Sequence, residues 1–336
     1  MFYRWRRMEE EDRGRVWRLY GWFTALMACG SCVGAVAWAA YMMSLVNFLK
    51  GTASEDLAEA TSLFVLLYSW RSAFFVTYAV EFLCLSAAKL MVLDRMSVFA
   101  VPQGTRPQKL WALAGRVVMA VAVLGNAVGL AANAAAAVHY QKAAQVMGTA
   151  SAYYAANNIK DGDNFYLISQ QEAQRGGSIV SVQSFSEVAV LLLIVVAFAV
   201  VGVLSARRVS AWLLGVDAAS AAAATGRAAR LQMVATTAFV FVAFVLRAAF
   251  STMFAVAFQW RDRITESCPG DCDECHSAYY LITIWMAYTP EFQLMIVLVS
   301  SPVALLVALW GMTSKATLQL MKSSKRQALV SLQLQK

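Results

Sequence analysis

The chain has 336 residues, of which 60% are hydrophobic and 14% are charged, and its formal net charge is +8. Soluble domains carry about 25% charged residues, so this composition excludes an ordinary water-soluble protein and indicates one that lies in a membrane. The positive charge does not indicate nucleic-acid binding, because the sequence shows neither a basic face interleaved with aromatic residues nor a known binding module.

Six apolar stretches follow one another along the chain, and each is longer than the roughly 20 residues that a helix needs to cross a bilayer. They are residues 19–49, 61–93, 110–140, 179–204, 231–260 and 278–312. The sequence therefore predicts an all-α fold, a polytopic transmembrane helical bundle of six membrane-spanning helices over residues 19–312. The last stretch contains Pro290 and Pro302, so we expect one long kinked helix; the alternative is a broken pair of half-helices.

The basic residues outside these stretches predict how the bundle is oriented. Most of them lie in the basic, aromatic-rich segment 1–18, in the connections after the second and fourth stretches, and in the tail 313–336. Because Lys and Arg are enriched on the cytosolic side, we expect both termini in the cytosol. Loops 50–60, 141–178 and 261–277 then face the outside or a lumen. The tail is expected to lie as an amphipathic helix on anionic inner-leaflet lipids, or else to be solvated and disordered.

Two glycine pairs are candidates for helix packing, because small residues four positions apart allow another helix backbone to approach closely. They are Gly30 and Gly34 in the first stretch, and Gly125 and Gly129 in the third. We expect them to pack helices together within one bundle, with a homo-oligomer interface as the alternative. The third stretch also has Asn126 and Asn133 on one helical face, and its helix is expected to continue through 141–156.

Seven ionisable residues lie within the apolar stretches, where even the lowest scales assign a charged side chain a cost of about 2.5–3.5 kcal/mol at the bilayer centre. They are Arg71, Glu81, Lys89, Arg116, Glu187, Arg247 and Glu291. We expect them to face the interior of the bundle, either along a polar pathway or in buried ion pairs. Lys89 and Arg116 lie nearer the predicted cytosolic face, and their long side chains are expected to extend toward it.

The depths of the other charged residues predict specific partners. Glu81 and Arg247 both lie near the predicted midplane, so we expect them to form a pair. Arg71, Glu187 and Glu291 lie in the outer half, and Arg71 is therefore expected to contact one of the two carboxylates.

Three cysteines, Cys268, Cys272 and Cys275, crowd the last predicted outer loop. In an oxidising compartment two of them are expected to form a disulfide bond, although the spacing does not say which two. Cys272, Cys275 and His276 also match the spacing of a covalent haem attachment site, and three cysteines with one histidine resemble a zinc site. The disulfide is favoured over both, so no cofactor and no metal is expected.

The sequence contains no HExxH, GxSxG or P-loop motif, and its two histidines lie near the predicted outer surface. We therefore do not expect an enzyme. The charged residues within the apolar stretches favour a transporter or channel with a polar pathway or solute site between the second, third, fifth and sixth spans. The alternatives are a receptor-like signalling protein and a structural subunit of a membrane complex.

The partners expected from the sequence are the lipid bilayer, a small solute or ion, and a second copy or another subunit of a membrane complex. The membrane is the plasma membrane or an endomembrane. Six spans with both termini on one side resemble many channels and transporters in outline only.

Overall fold

The computed structural model describes residues 10–100, 106–214 and 221–267, together with single positions between 281 and 307. The three continuous ranges form five long α-helices and no strand. These are α1 (Glu10–Ala53), α2 (Leu57–Ala100), α3 (Arg106–Ala155), α4 (Ile159–Leu214) and α5 (Ala221–Ser267). Most of the predicted sixth span 278–312 and all of the tail 313–336 lie outside the described residues.

Each of the five helices contains a segment that is long and apolar enough to cross a membrane. These segments are Gly21–Ala53, Leu57–Asp94, Leu113–Ala155, Ile159–Ala211 and Gly226–Ala257. Their outward faces carry large apolar side chains, such as Leu124 at 67% exposure and Val242 at 63%, which suit contact with lipid better than contact with water. The helices are thus compatible with an integral membrane protein, as predicted, whereas the sixth span and the orientation of the termini stay predictions.

Short polar turns connect the helices at one end of the bundle. Asp56 caps α2, because its Oδ1 accepts a hydrogen bond from the backbone N–H of Ala58 at 3.0 Å. After α3, Asn157 adopts a φ of 58°, a left-handed conformation that asparagine tolerates better than most residues and that ends helices. The N–H of Asn158 then returns to the carbonyl of Tyr153 at 2.9 Å. We call the end that holds turns 54–56 and 156–158 the hairpin end.

Two of the predicted outer loops, 50–60 and 141–178, are mostly helical in the structure. Residues 141–178 were expected to form a loop, but all except the turn 156–158 are helical. The expected continuation of the third helix through 141–156 is confirmed almost to its end, since α3 runs to Ala155. The polar residues after it form the start of α4, because they are stabilised by packing against α3 and do not need an apolar surround.

The helices run antiparallel in sequence order, so that each packs against the next. In addition α2 packs against α4, which makes these two the centre of the bundle. One apolar core lies among all five helices around Leu85, Phe198 and Phe244. A second core lies toward the hairpin end around Phe75 and Tyr140, whose rings stack with centroids 5.3 Å apart. Between the two cores lies a set of charged side chains.

The glycines predicted to pack helices do so at three of the four positions. A Cβ built on Gly30 would lie 3.2 Å from Cys84 Cβ, and one on Gly34 would lie 2.7 Å from Glu81 Cδ. One on Gly125 would overlap Val190 Cγ2. A Cβ on Gly129 would meet no atom of the described residues within 4 Å, so the expected packing within one bundle is not seen there and the homo-oligomer alternative stays untested. The close packing of α1 on α2 and of α3 on α4 is therefore possible only because Gly30, Gly34 and Gly125 have no side chain. Gly129 has open space beside it.

This difference within one helix predicts opposite results for the same substitution. Gly125→Ala should lower the free energy of unfolding by about 1–3 kcal/mol, because the methyl group must displace Val190 or separate α3 from α4. Gly129→Ala should be neutral or stabilising by about 0.5–1 kcal/mol, because alanine favours a helix and the site is open. Reversible unfolding in mixed micelles measures both, and equal effects would contradict this account of α3 packing.

Candidate functional site

The core-facing side of α2 presents three polar side chains at helical spacing, Tyr78, Glu81 and Lys89. Helix α4 contributes Glu187 and helix α5 contributes Arg247, and all five side chains line one small cavity together with Phe82 and Leu85. We call Tyr78, Glu81, Lys89, Glu187 and Arg247 the charged cluster. The four acidic and basic members are 7% exposed or less, so three helices bring two carboxylates and two cations together away from solvent.

The closest ion pair in the charged cluster joins α4 to α5. Arg247 donates to Glu187 Oε1 twice, from Nη2 at 2.9 Å and from Nε at 3.1 Å. A buried guanidinium and carboxylate at this distance hold each other strongly, since little solvent screens their charges. The pair therefore fixes the rotation of α4 and α5 relative to one another.

Neutral side chains complete the shell of Glu187. Its Oε2 accepts hydrogen bonds from the Tyr78 hydroxyl at 2.6 Å and from Gln183 Nε2 at 3.1 Å. Ser251 Oγ approaches Oε1 at 3.4 Å. The Tyr78 hydroxyl also accepts from Arg247 Nη2 at 2.6 Å, so it links the ion pair to α2. Glu187 consequently has all the donors that a buried carboxylate needs.

Glu81 is in a different situation from Glu187, although both carboxylates are buried. Its carboxyl group packs on the bare backbone of Gly34 in α1, and its Oε2 has no hydrogen-bond partner among the residues that the structure describes. Arg247 Nη1 likewise has none there. The cavity that these side chains share leaves about 10 Å³ for the centre of a water molecule, which is about the space that one water requires.

Lys89 is the second cation of the charged cluster. Its side chain is 2% exposed, and its Nζ lies 5.0 Å from the centre of the Phe244 ring, within the range of a cation–π contact. The expectation that Lys89 extends to the cytosolic surface is therefore wrong, because the residue lies on the inner face of α2. Arg116 is exposed on α3 and takes no part in the cluster.

The charged cluster lies well inside the apolar part of the bundle. Along α2, Glu81 is about 15 Å from Arg71 and about 20 Å from Asp94 at 1.5 Å per residue. Arg71, with exposed Lys142 and Arg175 on α3 and α4, marks a charged level toward the hairpin end. If the hydrocarbon layer of the bilayer, about 30 Å thick, begins near this level, the charged cluster lies close to the centre of the layer.

The expected partners of the charged residues are partly wrong. Glu81 and Arg247 line the same cavity, but the ion pair of Arg247 is with Glu187. Arg71 does not contact Glu187; its Cζ lies 5.9 Å from the centre of the Tyr140 ring, within cation–π range. The alternative contact between Arg71 and Glu291 is untested, because Glu291 lies outside the described residues.

Sequence reasoning missed the neutral members of the site. Tyr78 and Gln183 carry no charge and therefore did not stand out, although Gln183 lies one helical turn before Glu187, a spacing that allows their hydrogen bond. The charged residue of the predicted third span, Arg116, is not part of the cluster, whose charges come from α2, α4 and α5. The contribution of the sixth span falls outside the described residues.

A smaller polar cluster lies on the surface toward the hairpin end. His139 Nδ1 and Glu172 Oε2 are 2.8 Å apart, and Arg175 donates to Glu172 Oε1 at 2.6 Å. The first contact joins α3 to α4 near the level of Arg71, and the second lies within α4. They are partly solvent-exposed, so their contribution to stability is small.

The predicted disulfide residues Cys268, Cys272 and Cys275 lie outside the described residues. The cysteines that are described, Cys29, Cys32 and Cys84, are not in disulfide bonds. Within the described ranges, no three His, Cys, Asp or Glu side chains lie close enough together to hold a metal ion. No protein-family model, curated protein or solved structure matches the chain.

Proposed function

We propose that this multi-pass membrane protein is a transporter or channel, and that the charged cluster is the site through which protons cross the middle of the membrane. The observation that carries the proposal is Glu81: a buried carboxyl group with an unpartnered Oε2, beside a cavity that fits one water molecule. Ionisable residues inside membrane spans are rare and often mark ion pathways and proton relays.

Glu81 differs from what a purely structural ion pair requires. A buried charge that only holds helices together is expected to have every oxygen satisfied, as Glu187 has. The surroundings of Glu81 instead contain features that favour each of its two protonation states. The neutral form is favoured by its apolar surround, while the charged form is favoured by the nearby cations Arg247 and Lys89.

The arrangement corresponds to a closed state of such a pathway. Phe82 and Leu85 line the cavity beside the charged side chains, and the apolar core around Phe198 and Phe244 lies next to it. Transport would require the cavity to open toward each side in turn, by movement of α1 or α5 relative to the central helices α2 and α4.

The test is proton movement in vesicles that contain only this protein. The purified full chain is reconstituted with a pH-sensitive dye inside, and a potassium gradient with valinomycin sets the membrane potential. We expect acidification or alkalinisation to follow the sign of the potential and to exceed that of protein-free vesicles. Rates equal to those of protein-free vesicles at both polarities would contradict the proposal.

The Glu187, Arg247 and Tyr78 network favours a second candidate, a structural subunit of a membrane complex. This network is fully paired at Glu187 and fastens α2, α4 and α5 together, as a scaffold requires. Absence of flux together with co-purification of another membrane protein would favour it. The receptor-like alternative rests on the outer loops, the basic fourth connection and the tail; the tail and most of loop 261–277 lie outside the described residues.

A further inference from the structure

One face of α3 carries polar side chains that the bundle buries and leaves without partners. Asn126, Asn133 and Tyr140 are seven residues apart and share this face. They are 6%, 1% and 0% exposed, respectively. Neither polar atom of the Asn133 carboxamide has a hydrogen-bond partner among the described residues, and the same holds for Asn126 Oδ1 and the Tyr140 hydroxyl. Each such group costs about 1–3 kcal/mol if nothing bonds to it.

Gly129 lies on the same face, midway between the two asparagines. It is buried, yet a Cβ built on it would meet no atom within 4 Å in the part of the chain that the structure describes. Buried backbone with open space in front of it indicates a gap between α3 and its neighbours. The gap is bordered by carboxamides and not by apolar side chains alone, and polar cavities of this kind hold water whereas apolar ones stay empty.

The register of α3 against α4 shows where this gap leads. Ser186 Oγ donates to the carbonyl of Gly125 at 2.9 Å, and Ser169 Oγ donates to that of Ala143 at 2.8 Å. In an antiparallel pair with these contacts, Gly129 lies opposite Gln183. Gln183 Nε2 in turn donates to Glu187 Oε2 at 3.1 Å, so the gap lies at the level of the charged cluster.

We propose that this face of α3 holds a file of water molecules, which runs from Tyr140 past Asn133 to Gly129, at the level of Gln183, and ends at Asn126 at the level of the charged cluster. A carboxamide both donates and accepts hydrogen bonds, so the two asparagines can bind water in either orientation. The file rests on the proposed function, for which it supplies the access route from the hairpin end, near the level of Arg71. In this proposal the access route carries water molecules and, along them, protons.

Cysteine labelling tests the file directly. In the full chain with its native cysteines replaced by alanine, Gly129→Cys is compared with Val128→Cys, which lies at the same depth but is 51% exposed toward lipid. Thiols react as thiolates and so need water. A small water-soluble thiosulfonate should label position 129 at least about tenfold faster than position 128. Equal rates, or protection of position 129 in folded protein, would overturn the proposal.

A second substitution separates water in the gap from local flexibility. Asn133→Leu in the Gly129→Cys background removes both polar atoms of the carboxamide at similar volume, and it should slow labelling at position 129 by about fivefold or more. Unchanged labelling would overturn the file. The labelling experiment does not depend on proton flux. Rapid labelling at position 129 in a protein that moves no protons would therefore contradict the proposed function but not the water file. Protection of position 129 in a protein that does move protons would contradict only the water file.

Discussion

Replacing Arg247 with methionine is expected to lower the free energy of unfolding by about 3–5 kcal/mol, the usual cost of breaking a buried ion pair from one side. Methionine fills much of the arginine volume, so the loss comes from charge. Glu187 would remain buried with hydrogen bonds from Tyr78 and Gln183 but without the cation that balances it. Reversible unfolding of the purified protein in mixed micelles measures the change.

The double variant Glu187→Gln/Arg247→Met tells this cause apart from loss of packing. A neutral amide needs no cation, so the double variant should recover at least half of the stability that Arg247→Met loses. Arg116→Met is the matched control, because Arg116 is exposed on α3, and it should change stability by about 0.5 kcal/mol or less. If the double variant is less stable than Arg247→Met, the pair does not contribute as described.

The class of the protein and five of its helices could be read from the sequence because both follow from hydropathy. Apolar runs longer than a bilayer leave few structural choices, since every backbone group in lipid must bond within its own helix. The limits of the helices were harder to predict. Helix α4 begins at Ile159, far before its apolar stretch, because packing against α3 stabilises this more polar part of the helix.

The buried charged residues could be identified from the sequence, because charges are rare within apolar stretches. The partners of these residues could not be predicted in the same way. Which groups meet depends on the rotation of each helix as well as on depth. Helix α2 directs Tyr78 toward Glu187 and Arg247, whereas Glu81, one turn further on, packs on Gly34 of α1. Glu187 was assigned to the outer half because depth was counted from the end of an apolar stretch, and the helix extends well past that end.

Small residues gave a similar mixture of success and failure. The spacing of Gly125 and Gly129 is the same as that of Gly30 and Gly34, yet only Gly129 faces open space. Glycines spaced four residues apart show that another helix could pack closely on the backbone, but not that another helix does so. Gly202 was not predicted as a contact, although a Cβ there would overlap Thr237 Cγ2 of α5.

Glu81→Gln is expected to reduce proton flux by about 100-fold, the scale at which removing a positioned proton-transfer group acts. Glutamine keeps the shape of the side chain but cannot release a proton. Its amide is neutral in the apolar surround, so stability should stay equal or rise. Dye-monitored flux in vesicles and unfolding in micelles are measured on the same preparation, which tells loss of function from loss of fold.

The matched control for Glu81→Gln is Glu59→Gln on the same helix, because Glu59 is exposed near the hairpin end and should leave flux unchanged. A third variant, Gly34→Ala, leaves the carboxyl group present but moves it, since the new methyl would lie 2.7 Å from Glu81 Cδ. We expect its flux to fall between those of the wild type and Glu81→Gln. Wild-type flux in folded Glu81→Gln protein would remove Glu81 from the pathway and leave the charged cluster as a structural fastening of α2, α4 and α5.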